Sequence, residues 1–335
     1  MGVLVRPLST PPARIEDLLD AETLARLDRL DVVSRRVFAG KMPGERRSKA
    51  RGQSVEFDDF RPYSPGDDLR HVDWHVLARL DRLVVKLFRA EEDLGVRLVI
   101  DRSASMLAGD PPKATLAARL AIALGYIGLV NSNRVSVATF GAAGTATGMR
   151  TLRPMRGRQN LARLSRFVLD ALGEQFRGSV EATEGGASGV GAGVDLSGAL
   201  TRVAMDPTGG PGLVVVISDF MDRAGYVAGL NALAARGNFD VVCAQTLAPG
   251  ELDPAADAPG GLIGDLRLVD SESGLPAEVT VTTGLLKRYR ERLDQFVGGL
   301  DQACRARGFT HLVVPSDADV GELIHTSLRR RGVLG

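Results

Sequence analysis

Two stretches of this sequence end apolar runs on groups that can do chemistry. In GVRLVIDRSASML, residues 95 to 107, the run climbs to Asp101, and Ser103 and Ser105 follow at alternate positions. In GLVVVISDF, residues 212 to 220, a second run ends on Ser218 and Asp219. Carboxylate and hydroxyl oxygens are hard donors, suited to Mg2+, Mn2+ or Ca2+ and poorly suited to zinc. Asp101, Ser103 and Ser105 stand at i, i+2 and i+4, so one tight loop can converge them, with Asp219 joining directly or through water. Without a cation, two carboxylates this close repel and raise each other's pKa. The same residue types have a plainer use, since Asp and Ser cap helix N-termini and satisfy loop amides. Spacing alone leaves both uses open.

An enzyme can draw on the same residues. A metal-dependent hydrolase would use Asp101 and Asp219, but no further general acid or base is evident. A haloacid-dehalogenase-type phosphatase needs a second Asp two residues after the first, where Ser103 stands. It also needs a Lys after the Gly-rich region, and none occurs between Lys113 and Lys287. His71, His75, His311 and His325 are not placed to suggest a Ser-His-Asp triad. The GVGAG at 189 to 193 follows no strand and lacks the G-x-G-x-x-G spacing of a dinucleotide loop. The sequence therefore disfavours catalysis.

The elements that must position these groups follow from periodicity. VRLVID, RVSVATF, GLVVVISDF, FDVVCAQTL and FTHLVVPS are apolar on both faces and read as strands. Between them lie helical patterns. PPKATLAARLAIALGYIGLVN has Pro near its start, and RQNLARLSRFVLDAL carries Leu161, Leu164, Phe167 and Val168 on one face. DLSGALTRVAM has Asp195 as its cap, and YVAGLNALAARG closes on Gly237. GTATGMRTLRP should be the hairpin partner of RVSVATF, and GDLRLVDSESGLPAEVTVT a separate hairpin. A long helix to about Arg307 precedes the last strand, and a final helix follows it. Alternation of this kind predicts an α/β fold with a doubly wound, mainly parallel sheet and helices on both faces. Ligands of such sheets bind beyond the carboxyl ends of the strands at a switch point, and that rim is where Asp101 and Asp219 fall.

Residues 1–94 are expected to form an N-terminal extension of helix and short strands, and residues 95–335 the main domain. Within the extension, residues 14–30 repeat Leu at helical spacing. Residues 35–51 gather Arg35, Arg36, Lys41, Arg46, Arg47, Lys49 and Arg51 around one acidic residue, Glu45, in what reads as an exposed loop. Contact with an acidic partner surface is its functional reading. Nucleic acid is disfavoured, because the run lacks interleaved aromatics and net charge is only +1. Residues 56 to 93 alternate short apolar runs with turn signals, and Asp67, Asp68, Arg70, Asp73 and Arg79 surround Trp74. That density of opposite charge suggests an ion-pair network, with a docking surface as the alternative. Cys243 and Cys304 fall in apolar or helical patterns and read as buried small hydrophobes. The N-terminus lacks a sustained apolar leader, and the best apolar run, 120 to 130, is too short to span a bilayer. A cytoplasmic protein is expected.

These residues carry a resemblance. Asp101-x-Ser103-x-Ser105 after an apolar strand, with Ser218-Asp219 ending a later one, resembles the metal-ion-dependent adhesion site of von Willebrand factor A domains. A longer block, RPYSPGDDLRHVDWHVLARLDRLVVKLFRAEED running into the strand before DRSASM, resembles the bacterial domain-of-unknown-function family numbered fifty-eight. With the elements that follow, the resemblance covers residues 30 to 335. It implies a von Willebrand factor A-like fold, a non-enzymatic role, and a MoxR-type AAA+ ATPase as partner in assembly or chaperone-like work. It implies a metal site of Asp101, Ser103, Ser105 and Asp219 holding Mg2+ or Mn2+. The adhesion site also wants a Thr before a helix, in Gly-Thr-Asx-Leu. Here Gly193-Val194-Asp195-Leu196 puts Val194 at that position, which should weaken the site. Asp195, Ser197 and Thr183 are the candidates to replace it.

Overall fold

A computed structural model describes residues 12, 14–32, 56–89, 94–141, 148–184, 194–254, 264–269 and 276–335. The chain divides into two compact units, one of residues 1–37 with 94–335 and the other of residues 38–93. This differs from the expected cut at residue 94. The first helix belongs to the main unit: Asn131 donates to the Leu30 carbonyl at 2.7 Å, Tyr126 bonds Asp28, and Val32 bridges Leu334.

The main unit opens with a short turn, Ile15–Asp17, and helix α1 (Ala21–Leu27). Residues 14–30 are thus a broken helix, because the Asp20 carboxylate accepts from the Thr23 amide and starts a new N-terminus there. The small unit pairs β1 (Glu56–Pro62) antiparallel to β2 (Val84–Arg89), with helix α2 (Trp74–Leu80) between them. Asp73 caps α2 through the amides of His75 and Val76 and pairs with Lys86, while Arg61 pairs with Asp67 at 2.5 Å. Ion pairs of Asp67 and Asp73 thus run to Arg61 and Lys86, residues outside the expected set, and Trp74 is exposed at 58%.

Back in the main unit, β3 (Gly95–Asp101) leads into α3 (Lys113–Val130), then β4 (Arg134–Phe140) and its antiparallel partner β5 (Met149–Met155). Helices α4 (Leu161–Glu184) and α5 (Leu196–Met205) precede β6 (Gly212–Ser218). Helix α6 (Val227–Arg236), β7 (Phe239–Leu247) and a single turn α7 (Pro249–Leu252) come next. A separate antiparallel hairpin, β8 (Gly264–Val269) with β9 (Pro276–Val281), is followed by α8 (Thr283–Arg305) and β10 (Thr310–Pro315). The last helix, α9 (Val320–Glu322), continues as a π-helical turn, Leu323–Leu328.

The six-stranded sheet runs β10-β7-β6-β3-β4-β5 and is parallel except for the edge strand β5. The chain steps from β3 outward to β4, then returns to place β6 on β3's other side. That reversal is the switch point, and its crevice opens between the carboxyl ends of β3 and β6. Strand residues alternate between two cores. Val99, Val214, Val216, Val241 and Cys243 pack with α5, α6 and α8, including Leu300 and Cys304. Val96 and Leu98 point the other way, onto α3. Helix α3 is buried nearly all round, between the sheet and α4. At 18 residues it is long and apolar enough to cross a membrane by composition, yet 83% of it is buried inside the fold.

Candidate functional site

The crevice is built from two strand ends, one helix start and one short turn. Asp101 closes β3, and its carboxylate is fully engaged. Oδ1 accepts from the Ser103 amide at 2.8 Å, and Oδ2 accepts from the Ser218 hydroxyl at 2.5 Å. The Ser218 oxygen in turn accepts from the Phe220 amide at 2.9 Å. One hydroxyl therefore joins the β3 loop to the β6 loop. The backbone makes a sharp departure after Asp219, where buried Phe220 adopts φ 60, in the left-handed region.

The Ser103 and Ser105 hydroxyls bond each other at 3.0 Å. Ser103 stands at the N-cap of a short turn, Ala104–Leu107, but its hydroxyl makes no capping bond. Helix α4 braces this loop. Gln175 donates to the Ser103 carbonyl at 2.9 Å, and Glu174 accepts from Arg102 and Arg150. Asp101 thus satisfies a loop amide, as its plainer reading expects.

Asp219 is held differently. Its Oδ1 accepts from the Met221 amide at 3.0 Å, and its Oδ2 accepts from Lys113 Nζ at 2.9 Å. Lys113 opens α3, is 0% exposed, and also donates to Glu251 Oε1 at 2.6 Å. Glu251 Oε2 accepts from the Ala248 amide, fixing the α7 turn after β7. Burial alone would lower the Lys113 pKa, but Asp219 and Glu251 outweigh it and hold the ammonium above its usual value. Among the described residues, no cation pairs with Asp101. Burial first, then the Asp219 charge, push its pKa up to about 7.

The fold brings Asp101, Ser103, Ser105 and Asp219 to one rim, as their strand-end positions require. It does not bring the third element. Val194 packs its side chain against the α5–α6 core. Asp195 caps α5 by accepting from the Gly198 amide at 2.6 Å. Ser197 donates to the Gly225 carbonyl and accepts from the Gly229 amide. Thr183 lies within α4. The donor set therefore fits a divalent ion poorly: an ion would share Asp219 with the buried Lys113 ammonium, the serines bond each other, and the Thr position is apolar. Among the described residues, no three His, Cys, Asp or Glu side chains gather as a metal-binding group.

Lys113 and Glu251 were invisible to the motif. A Lys at a helix start reads as solvated. The available signal was compositional: the chain has five Lys among its 42 basic residues, and one of them opens its most apolar helix. His311 is buried on β10, beside Gln245 at 3.1 Å and near Asp301, and burial lowers its pKa toward the neutral form. Residues 185–193 and the basic run 35–51 lie outside the described residues.

A family model described as "Protein of unknown function DUF58" matches residues 59–296. The chain belongs to this family. Two relatives, the "Uncharacterized protein Mb1516" of Mycobacterium bovis and the "Uncharacterized protein Rv1480" of Mycobacterium tuberculosis, are each 28% identical to it. Each match spans 330 residues, 97% of this chain and 95% of the relative. Among solved structures, the chain is similar to the conserved hypothetical protein BatB from Bacteroides thetaiotaomicron. That match has a TM-score of 0.40 and 14% identity, covering 71% of this chain and 98% of that one. An aerotolerance-related membrane protein from Bacteroides fragilis gives a TM-score of 0.38 and 15% identity, covering 71% and 97%.

Proposed function

We propose that the chain is a non-enzymatic protein–protein interaction module on a von Willebrand factor A-like domain. On this reading it acts in the cytoplasm with a MoxR-type AAA+ ATPase, in assembly or chaperone-like work. The observation that carries the reading is the surface of the 38–93 unit. Trp74, the chain's single tryptophan, is 58% exposed, with Leu69 at 55% and Leu80 at 65% on the same unit. Exposed aromatic side chains such as Trp74 are the usual centres of binding energy at interfaces. The rim supports the non-enzymatic half. Asp101, Asp219 and Lys113 are buried and satisfied by groups of the same chain, so none is placed to meet a substrate. The ATPase as partner comes from the family resemblance.

The reading has two forms. In the ion-bridged form, Mg2+ or Mn2+ on Asp101, Ser103, Ser105 and Asp219 is completed by an acidic side chain of the partner. In the ion-free form, the chain's own groups neutralise the rim. Co-purification of the full chain with the ATPase, with and without EDTA, tests the reading and separates its forms. Trp74→Ala should weaken capture about tenfold, and undiminished capture would remove the reading's support. Turnover of generic phosphoesters, abolished by Asp101→Ala, would replace it with a metal-dependent hydrolase.

A further inference from the structure

We infer that Lys113 is the resident cation of the rim, and that the chain needs no divalent ion there. The second half rests on the interaction reading only where it concerns the partner, which would then bind in EDTA. The ammonium contributes where an imported ion would otherwise be required. It lies 2.9 Å from Asp219 and 2.6 Å from Glu251, and is shut from solvent. It reaches Asp219 from the first turn of α3, the helix that follows the Asp-x-Ser-x-Ser loop. A second positive centre close to an ammonium meets like-charge repulsion, which a buried setting screens weakly.

Three further observations point the same way. Both Asp219 oxygens are engaged within the chain, Oδ1 by the Met221 amide and Oδ2 by Lys113. Asp101 is closed by Ser218 and the Ser103 amide, within the chain itself. Val194 has turned into the apolar core, so the loop before α5 offers no hydroxyl at that position. Each of these features competes with or omits part of an ion's coordination, and the Lys supplies the charge balance that the ion would have provided. An ammonium donates hydrogen bonds and carries one charge, so it cannot accept a partner's carboxylate while sealed behind Asp219 and Glu251. Whatever docks on this rim must therefore recognise its loops and not a metal.

Mn2+ titration of the full chain, read by the EPR signal of the free ion and by thermal melts with and without EDTA, tests this directly. Wild type should leave the free-ion signal undiminished and melt at one temperature in both conditions. Mn2+ uptake by wild type, lost in Asp101→Ala, overturns the inference, as does a melting point that falls in EDTA. Lys113→Met should lower the melting point by several degrees and make it rise again with added Mn2+ or Mg2+. A Lys113→Met chain that melts as wild type does overturns the inference. Lys113→Arg keeps the charge and should stay indifferent to Mn2+. If Lys113→Met fails to fold, the wild-type titration alone decides. None of these measurements involves a partner, so their outcome is separate from the fate of Trp74→Ala in the capture experiment.

Discussion

At the residue scale, the rim is a set of carboxylates with unequal support. Asp219 has Lys113, while Asp101 has only hydrogen bonds, which is why burial and the Asp219 charge lift it from 3.8 to about 7. The folded chain therefore holds a proton at Asp101 that the unfolded chain has released above its ordinary pKa. Stability contributed by that proton is present at low pH and is lost as pH rises from about 4 to about 7. Asp101→Asn should abolish this slope and be neutral or stabilising at pH 7, by up to a few kcal/mol. Urea melts across that pH range check it. Val194→Thr should not create a metal site, because the side chain faces apolar neighbours. It should cost about 1 kcal/mol, measured by the same melts, with no response to Mg2+. The carboxylates were legible from sequence because strand ends announce themselves by the break in an apolar run. Lys113 was not, because its partners lie 106 and 138 positions away and no local pattern joins them. The direction of Val194 was equally hidden, since a loop register does not fix which way a side chain turns.

At the scale of elements, periodicity located the strands of the main sheet and both hairpins, but it could not order them. The pairing of β3 with β6 depends on a close backbone approach at the strand starts. Gly95 and Gly212 face each other where β3 and β6 begin, and a Cβ on Gly212 would stand 2.1 Å from the Gly95 oxygen. Gly212 also holds φ +147, which side chains rarely adopt. Gly212→Ala should therefore cost more than about 2 kcal/mol and lower the urea midpoint without changing the m-value. Within β3 the apolar pattern is interrupted by Arg97, which looks misplaced in sequence. Its guanidinium donates to the carbonyls of Val203, Asp206 and Gly210, closing the end of α5, and lies over the Phe239 ring. The exception is thus a C-terminal helix partner reached across the sheet.

At the scale of the whole molecule, the mixed α/β class was readable because both-face apolar strands alternate with helices. The division of the chain was not, because α1 and the residues after it join the main unit through contacts with α3, α9 and Leu334, all distant in sequence. The Lys113 contacts have the same long-range character, and they bear on how the protein unfolds. One ammonium closes loops of 106 and 138 residues, linking the start of α3 to the ends of β6 and β7. Contacts so distant in sequence, and so dependent on excluding water, should form after the rate-limiting barrier to folding has been crossed. Removing the ammonium leaves buried Asp219 and partly exposed Glu251 without their counter-charge, at a cost of about 3–5 kcal/mol for the buried partner. In stopped-flow chevrons, Lys113→Met should express that cost almost wholly as faster unfolding, with the refolding limb unmoved. The buried lysine would then act as a kinetic lock, lengthening the lifetime of the native state while leaving the speed of reaching it unchanged.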